Sequence, residues 1–155
     1  MMKVIAALSI LAALNPSSVF AQSGYEKDTI STSEGDLAIT FLGHGTLMME
    51  YRGMVIHIDP YSQVADYSFL PDADLLLLTH HHRDHLDEQA LSHIVTEKTK
   101  TVLTEICAGT LKNGEVLKNG GKTSFMGIGI EAVPAYNILH KRDNGQPYHI
   151  KGEGN

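Results

Sequence analysis

The segment LLLLTHHHRDHLD, residues 75–87, runs four leucines straight into four histidines and two aspartates. The apolar run over residues 74–79 does not alternate, which is the pattern of a strand buried on both faces of a sheet. Asp87 has the character of a helix N-cap, ahead of a helix over residues 88–97 with Ala90, Leu91, Ile94 and Val95 on one side. A buried strand feeding a crossover helix predicts an α/β architecture, and the strand's carboxyl end is where such sheets place their chemistry.

Spacing sorts the histidines. In an extended backbone residues two apart point the same way, so His80 and His82 can present imidazoles to one ion while His81 faces elsewhere. Asp84 and His85 follow where the chain bends into the helix and can serve a second ion nearby. Imidazole nitrogen and carboxylate oxygen are the usual ligands of zinc and related divalent ions. The leucines then act as a stiff mount for ligands that must be held within a fraction of an ångström.

Working outward, residues 37–42, 46–51 and 54–58 are short β-prone runs separated by Gly43-His44-Gly45 and Arg52-Gly53, the layout of a strand meander. Asp59-Pro60 closes the third run, because proline cannot donate to the ladder and restricts the residue before it. Residues 61–73 read as a loop, 101–105 as a strand, 107–112 as one or two helical turns, and 128–135 as a strand. Asn113-Gly114 and Asn119-Gly120-Gly121 mark turns. Residues 22–36 are polar and aperiodic, and read as a flexible lead-in.

The segment THHHRDHLD resembles the signature of the metallo-β-lactamase superfamily of hydrolases, whose pattern His-x-His-x-Asp-His falls on His80, His82, Asp84 and His85. Upstream, LGHGTLMMEYRGMVIHIDPY resembles the first hairpins of that family, including the aspartate of IDP, here Asp59, which lies behind the metal ligands. Downstream, EAVPAYNI followed by YHIKGEG is similar to a branch of general metal-dependent hydrolases within it. The resemblance covers residues 37–155 and implies a four-layer αββα sandwich with one or two divalent ions, zinc foremost.

It also implies roles. The first ion takes His80, His82 and a later histidine, for which His149, at the head of the KGEG segment, fits better than His140. The second takes Asp84, His85 and two further ligands, while Asp84 orients the attacking water and passes a proton to the leaving group. The family's bridging aspartate and last histidine have no counterpart up to Asn155, so the domain is expected to be incomplete at its C-terminal end. The implied reaction is hydrolysis of a small-molecule ester, lactone, amide or phosphoester; the alternative is a non-catalytic remnant that keeps a metal but lacks the completed dinuclear site.

Around this set, Asp59 fits a hydrogen-bond partner that fixes the tautomer of a ligand histidine, or a simple turn residue before Pro60. His44, between two glycines, either lines the mouth of the site or is only a hairpin residue. His57 and His93 read as structural, Cys107 as a small buried hydrophobe, and Met48, Met49, Met54 and Met126 as core filling.

Composition bounds the rest. The chain has 155 residues, 43% apolar and 19% charged, enough for one modest core. Residues 1–21 carry a basic start, an apolar run and a polar stretch ending Val19-Phe20-Ala21, the layout of a secretory signal peptide cut after Ala21. That run is too short for a hydrocarbon core needing about 20 residues, so no membrane anchor is expected after cleavage, and the protein is expected to be secreted or periplasmic. Loss of Lys3 with the leader takes the formal net charge from −6 to −7, which argues against nucleic acid as a partner. The single cysteine, Cys107, excludes an internal disulfide.

Overall fold

A computed structural model describes residues 24–152 and 154. The leader read over residues 1–21 lies outside the described residues. Among those described, no helix is long and apolar enough to cross a membrane.

The strands β1 (Glu26–Thr32), β2 (Gly35–Gly43), β3 (Thr46–Tyr51) and β4 (Met54–Ile58) form an antiparallel meander. Strands β3 and β4 have the bounds expected from their β-prone residues. Their turn places Arg52 at φ 54° and Gly53 at φ 79°, the double left-handed conformation that matches the twist of a tight hairpin. Strand β1 corrects the sequence reading, because it lies where a flexible lead-in was expected. All seven of its residues are exposed, so neither face carries an apolar pattern. The strand is held by its ladder to β2, from Glu26 opposite Phe41 to Thr32 opposite Gly35. A polar edge strand of this kind blunts the sheet margin without adding to the core.

Strands β5 (Leu75–Leu78), β6 (Lys100–Leu103) and β7 (Glu115–Val116) add in parallel beyond β4, giving one seven-stranded sheet in sequence order. The β5–β6 crossover carries helix α1 (Glu88–Ile94). Asp87 caps it by accepting from the Gln89 amide at 3.0 Å, and its other oxygen takes the Ser62 amide at 2.8 Å. The helix stops three residues before the expected 97, with Val95 already extended. There the Thr96 amide donates to Thr99 Oγ1 at 2.9 Å, and that hydroxyl donates to the Ala73 carbonyl at 2.7 Å. A local side-chain turn thus competes with another helical turn.

A separate hairpin, β8 (Lys122–Phe125) and β9 (Ile128–Glu131), covers the other side of the sheet. Sequence reading found only the second strand, and ran it on to residue 135. Lys122–Phe125 has one large apolar residue, and its turn holds Met126 (φ 47°) and Gly127 (φ 85°) in place of the usual Asn-Gly. Met126 is consequently 64% exposed at the turn and fills no core, unlike Met48 and Met54.

The four leucines divide by parity. Leu76 and Leu78 pack with Leu86, Leu91, Leu103 and Cys107 on the helix side, while Leu75 and Leu77 pack toward Ile56, Val102, Leu117, Ile128 and Ile130 on the hairpin side. Each fully buried leucine is worth roughly 1.5–3 kcal/mol of transfer free energy. The layers run helix, seven-stranded sheet, two-stranded sheet. These are three of the four layers of an αββα sandwich.

His57 on β4 is fully buried. Its Nε2–H donates to the Pro71 carbonyl at 3.1 Å, its ring lies 5.9 Å from that of Tyr67, and Nδ1 has no hydrogen-bond partner. Burial pulls its pKa down to about 4, against a weaker opposing pull from the Pro71 carbonyl. The unfolded chain takes up this proton near pH 6.5, the folded chain only near 4, so stability falls as pH drops through that window. The expected loss from this group is about 3 kcal/mol. Urea midpoints measured from pH 7 to 4 should fall less steeply for His57→Gln, which keeps a donor for Pro71 without the titration.

Candidate metal centre

Strand β5 ends at Leu78, residues 79–81 have no regular structure, and the chain bends from His82, with the amides of His85 and Leu86 both donating to the His82 carbonyl at 2.9 and 2.8 Å. His80 lies before the bend and His82 at its start, and the turn presents Asp84 and His85. His81 is exposed, its ring 5.0 Å from that of His82.

His80, His82 and His149 converge. Their ring centroids lie 4.8 Å (His80–His82), 4.8 Å (His80–His149) and 4.9 Å (His82–His149) apart, and one ligand nitrogen from each falls within 4.8 Å of the other two. His80 is 8% exposed and its Nε2 is buried with no hydrogen-bond partner, while Nδ1 sits 3.0 Å from Thr79 Oγ1. Burial, reinforced by repulsion from His85, pulls the His80 pKa down to about 4. The imidazole is therefore neutral near pH 7, as a ligand must be. A buried nitrogen left without a partner is costly in a native interior, and a divalent ion bound by three imidazoles satisfies it. These residues fit the metal that their pattern suggests.

His149 is positioned by a residue that the sequence did not single out. Asn137 Oδ1 accepts both the backbone amide and the Nδ1–H of His149, each at 2.8 Å, and the Asn137 amide donates to the His149 carbonyl at 3.0 Å. This leaves Nε2 to face the other two rings. The bond spans twelve residues, a separation at which no periodic pattern survives. The only hint is one amide side chain in the segment EAVPAYNI. His140 is exposed and belongs to none of the ligand groups among the described residues. A cavity of about 350 Å³ opens beside His80 and His149, lined also by Thr79, Tyr136 and Asn137.

The second cluster is His44, Asp84 and His85. His44 Nε2 lies 2.8 Å from Asp84 Oδ2, and His85 Nε2 lies 3.8 Å from the same oxygen. Burial alone would raise the Asp84 pKa, but its own amide and the His44 contact outweigh that and hold it below the ordinary carboxylate range. For His85, burial pulls downward and is overcome by the hydrogen bond and charge of Asp59 and by Asp84, so its pKa lies above the usual imidazole value.

Asp59 sits behind both clusters, 3% exposed and in the left-handed conformation at φ 46°. One carboxylate oxygen accepts the Thr79 amide at 2.8 Å; the other accepts the Thr79 hydroxyl and His85 Nδ1–H, the latter at 2.8 Å. Both oxygens are thus engaged, and the protonated Nδ1 turns the Nε2 lone pair of His85 outward. Its backbone is tied as well, through Asp59 N–H to Leu77 and Thr46 Oγ1–H to the Asp59 carbonyl. Cys107 is buried among the helix-side leucines, and His93 is exposed on α1.

Residues 38–154 match the profile of the beta-lactamase superfamily domain. The chain belongs to the β-lactamase superfamily. Within it, the chain is 30% identical over 118 residues to a UPF0173 metal-dependent hydrolase of Methanopyrus kandleri, covering 71% of this chain and 51% of that protein. A crystal structure of a metal-dependent hydrolase from Parabacteroides distasonis superposes with a TM-score of 0.77 at 39% identity, over 84% of this chain and 59% of that one. The metallo hydrolase Igni18 from Ignicoccus hospitalis superposes with a TM-score of 0.53 at 25% identity, over 72% and 53% of the two chains. This superfamily member spans about half the length of the curated relative it matches.

Proposed function

We propose that this chain carries the metal-binding half of an exported hydrolase that acts on a small ester, lactone, amide or phosphoester, with zinc as its ion. The observation that carries the reading is the buried, unpartnered Nε2 on the ring of His80, a ring that offers a ligand nitrogen within 4.8 Å of those of His82 and His149. The names of the Methanopyrus kandleri and Parabacteroides distasonis proteins, both metal-dependent hydrolases, support the same chemistry.

When bound, a divalent ion supplies Lewis acidity that makes water nucleophilic near neutral pH and polarises an acyl or phosphoryl oxygen. The protein's own residues do the remainder. His80, His82 and His149 hold the ion, with Asn137 fixing the tautomer of His149. Asp84, half exposed at the mouth of the site and ionised near pH 7, orients water and accepts its proton for delivery to the leaving group. Asp59 locks the ring of His85. The cavity beside Tyr136 and Asn137 receives the substrate. Export rests on the leader pattern of residues 1–21, and the acidic net charge supports a small-molecule substrate in preference to nucleic acid.

The test removes metal with a chelator and restores it as zinc while a panel of esters, lactones, amides and phosphoesters is assayed. Hydrolysis should vanish on chelation and return with one or two equivalents of zinc per chain. Stoichiometric zinc binding without turnover on any substrate class would favour a non-catalytic metal-binding protein. Absence of stoichiometric binding would reject the metal centre altogether.

A further inference from the structure

We propose that Thr79 is a positioning residue for the first metal site: its hydroxyl links the Asp59 carboxylate to His80 and fixes the tautomer in which His80 Nε2 carries a lone pair. The proposal rests on the reading of His80, His82 and His149 as metal ligands. In the sequence Thr79 only closes the run of leucines, and no spacing sets it apart.

Two neighbouring strand ends build the link. Strands β4 and β5 run parallel with Ile58 opposite Leu77, so Asp59 and Thr79 leave the sheet side by side. The Asp59 amide donates to the Leu77 carbonyl at 3.1 Å, and the Thr79 amide donates to Asp59 Oδ1 at 2.8 Å, which ties the two backbones together. Thr79 Oγ1 then lies within hydrogen-bond reach of two groups, Asp59 Oδ2 and, at 3.0 Å, His80 Nδ1. Branching at Cβ leaves threonine few rotamers, which holds the hydroxyl at this junction.

A hydroxyl has one proton, and its direction decides the rest. An ionised carboxylate only accepts, and a hydrogen bond to a charged acceptor is about twice as strong as a neutral one. The Thr79 proton therefore goes to Asp59, the shorter of the two contacts, and a lone pair of Oγ1 is left facing His80 Nδ1. Nδ1 meets it with an N–H, since two facing lone pairs repel. A neutral imidazole carries one N–H, so Nε2 is bare. That nitrogen is the buried one with no hydrogen-bond partner, and as a lone pair it can take a cation, which an N–H cannot. Asp59 Oδ2 also accepts His85 Nδ1–H at 2.8 Å, so one carboxylate sets the ring of His85 directly and that of His80 through a single hydroxyl.

The experiment records imidazole ¹⁵N shifts of the metal-free full chain, then lets the chain compete with a chelator for zinc. In the wild type His80 should be protonated at Nδ1. Thr79→Val keeps the branched shape and removes the hydroxyl; it should move proton onto His80 Nε2 and weaken the first zinc by about 10–100-fold, the usual effect of losing a ligand's hydrogen-bond partner. Thr79→Ser keeps the hydroxyl and should recover both the tautomer and most of the affinity. The reverse order, with valine normal and serine impaired, would overturn the proposal and leave Thr79 a packing residue. So would an Nε2–H tautomer of His80 in the wild type, a readout that needs no variant to fold. A wild type that binds no zinc would reject the metal site itself, while the tautomer of the metal-free chain would still decide the role of Thr79.

Discussion

His82→Ala is expected to lose one ion per chain and to lower hydrolysis by roughly 10³-fold or more, given that removing mere outer-shell partners of a ligand costs 10–100-fold. The mechanism is subtraction of a donor: three imidazoles with an open fourth position define a catalytic zinc site, and two do not hold the ion tightly enough. His82 is only half buried and follows the end of β5, so the metal-free fold should scarcely notice the change. Urea unfolding of the metal-free variant should therefore match the metal-free parent, while elemental analysis shows the missing ion. Retained stoichiometric metal together with retained turnover would reject the assignment of the first site.

Asp84→Asn is expected to lower kcat/KM by about 10²–10⁴-fold, the usual range for a positioned proton acceptor. Asparagine keeps the shape of aspartate and can still bond to His44, but it takes no proton near neutral pH. The first ion should stay, because His80, His82 and His149 are untouched, and the kinetic loss would then separate from a loss of that ion. Full turnover in the variant would mean that the proton goes elsewhere. The sign of its pH dependence also follows: Asp84 is held below the ordinary carboxylate range and a neighbouring cation favours its charged form further, so it should stay ionised across the neutral range and its protonation should cost turnover only in acid.

Much of this could be read along the chain where physics leaves a local mark. Strands β3 and β4 and the Asp87 cap were found because β-prone runs and an N-cap aspartate are written into adjacent residues. The four leucines were found because a strand covered on both sides cannot alternate. Strand β1 escaped because an edge strand with two solvated faces has no pattern, and Lys122–Phe125 escaped because its turn uses Met126 in place of a recognisable turn pair. At the site, His80, His82, Asp84 and His85 were legible from spacing within six residues. Asn137 was not, because it acts on His149 across a separation that only folding brings together. The closeness of His44 to Asp84, forty residues apart, was equally invisible. What the sequence did carry was the pair of glycines around it, whose reason appears only in the fold: a Cβ on Gly43 would lie 3.2 Å from Val64 Cβ, and one on Gly45 3.1 Å from His85 Cε1.

The first site joins two regions of unequal firmness. His80 and His82 hang from β5, which is paired on both sides and sealed by leucines on both faces. His149 hangs from a stretch whose Val133, Ile138, Leu139 and Tyr148 are exposed. Few backbone bonds hold it, among them Asn137 to His149 and Arg142 to Gln146. Segments with few buried contacts open locally at a small fraction of the global free energy. An ion gripped by both regions would act as a clasp, its binding energy appearing as order in the soft arm far more than as resistance to global unfolding. Its escape would then require only that arm to lift, with the seven-stranded sheet left standing.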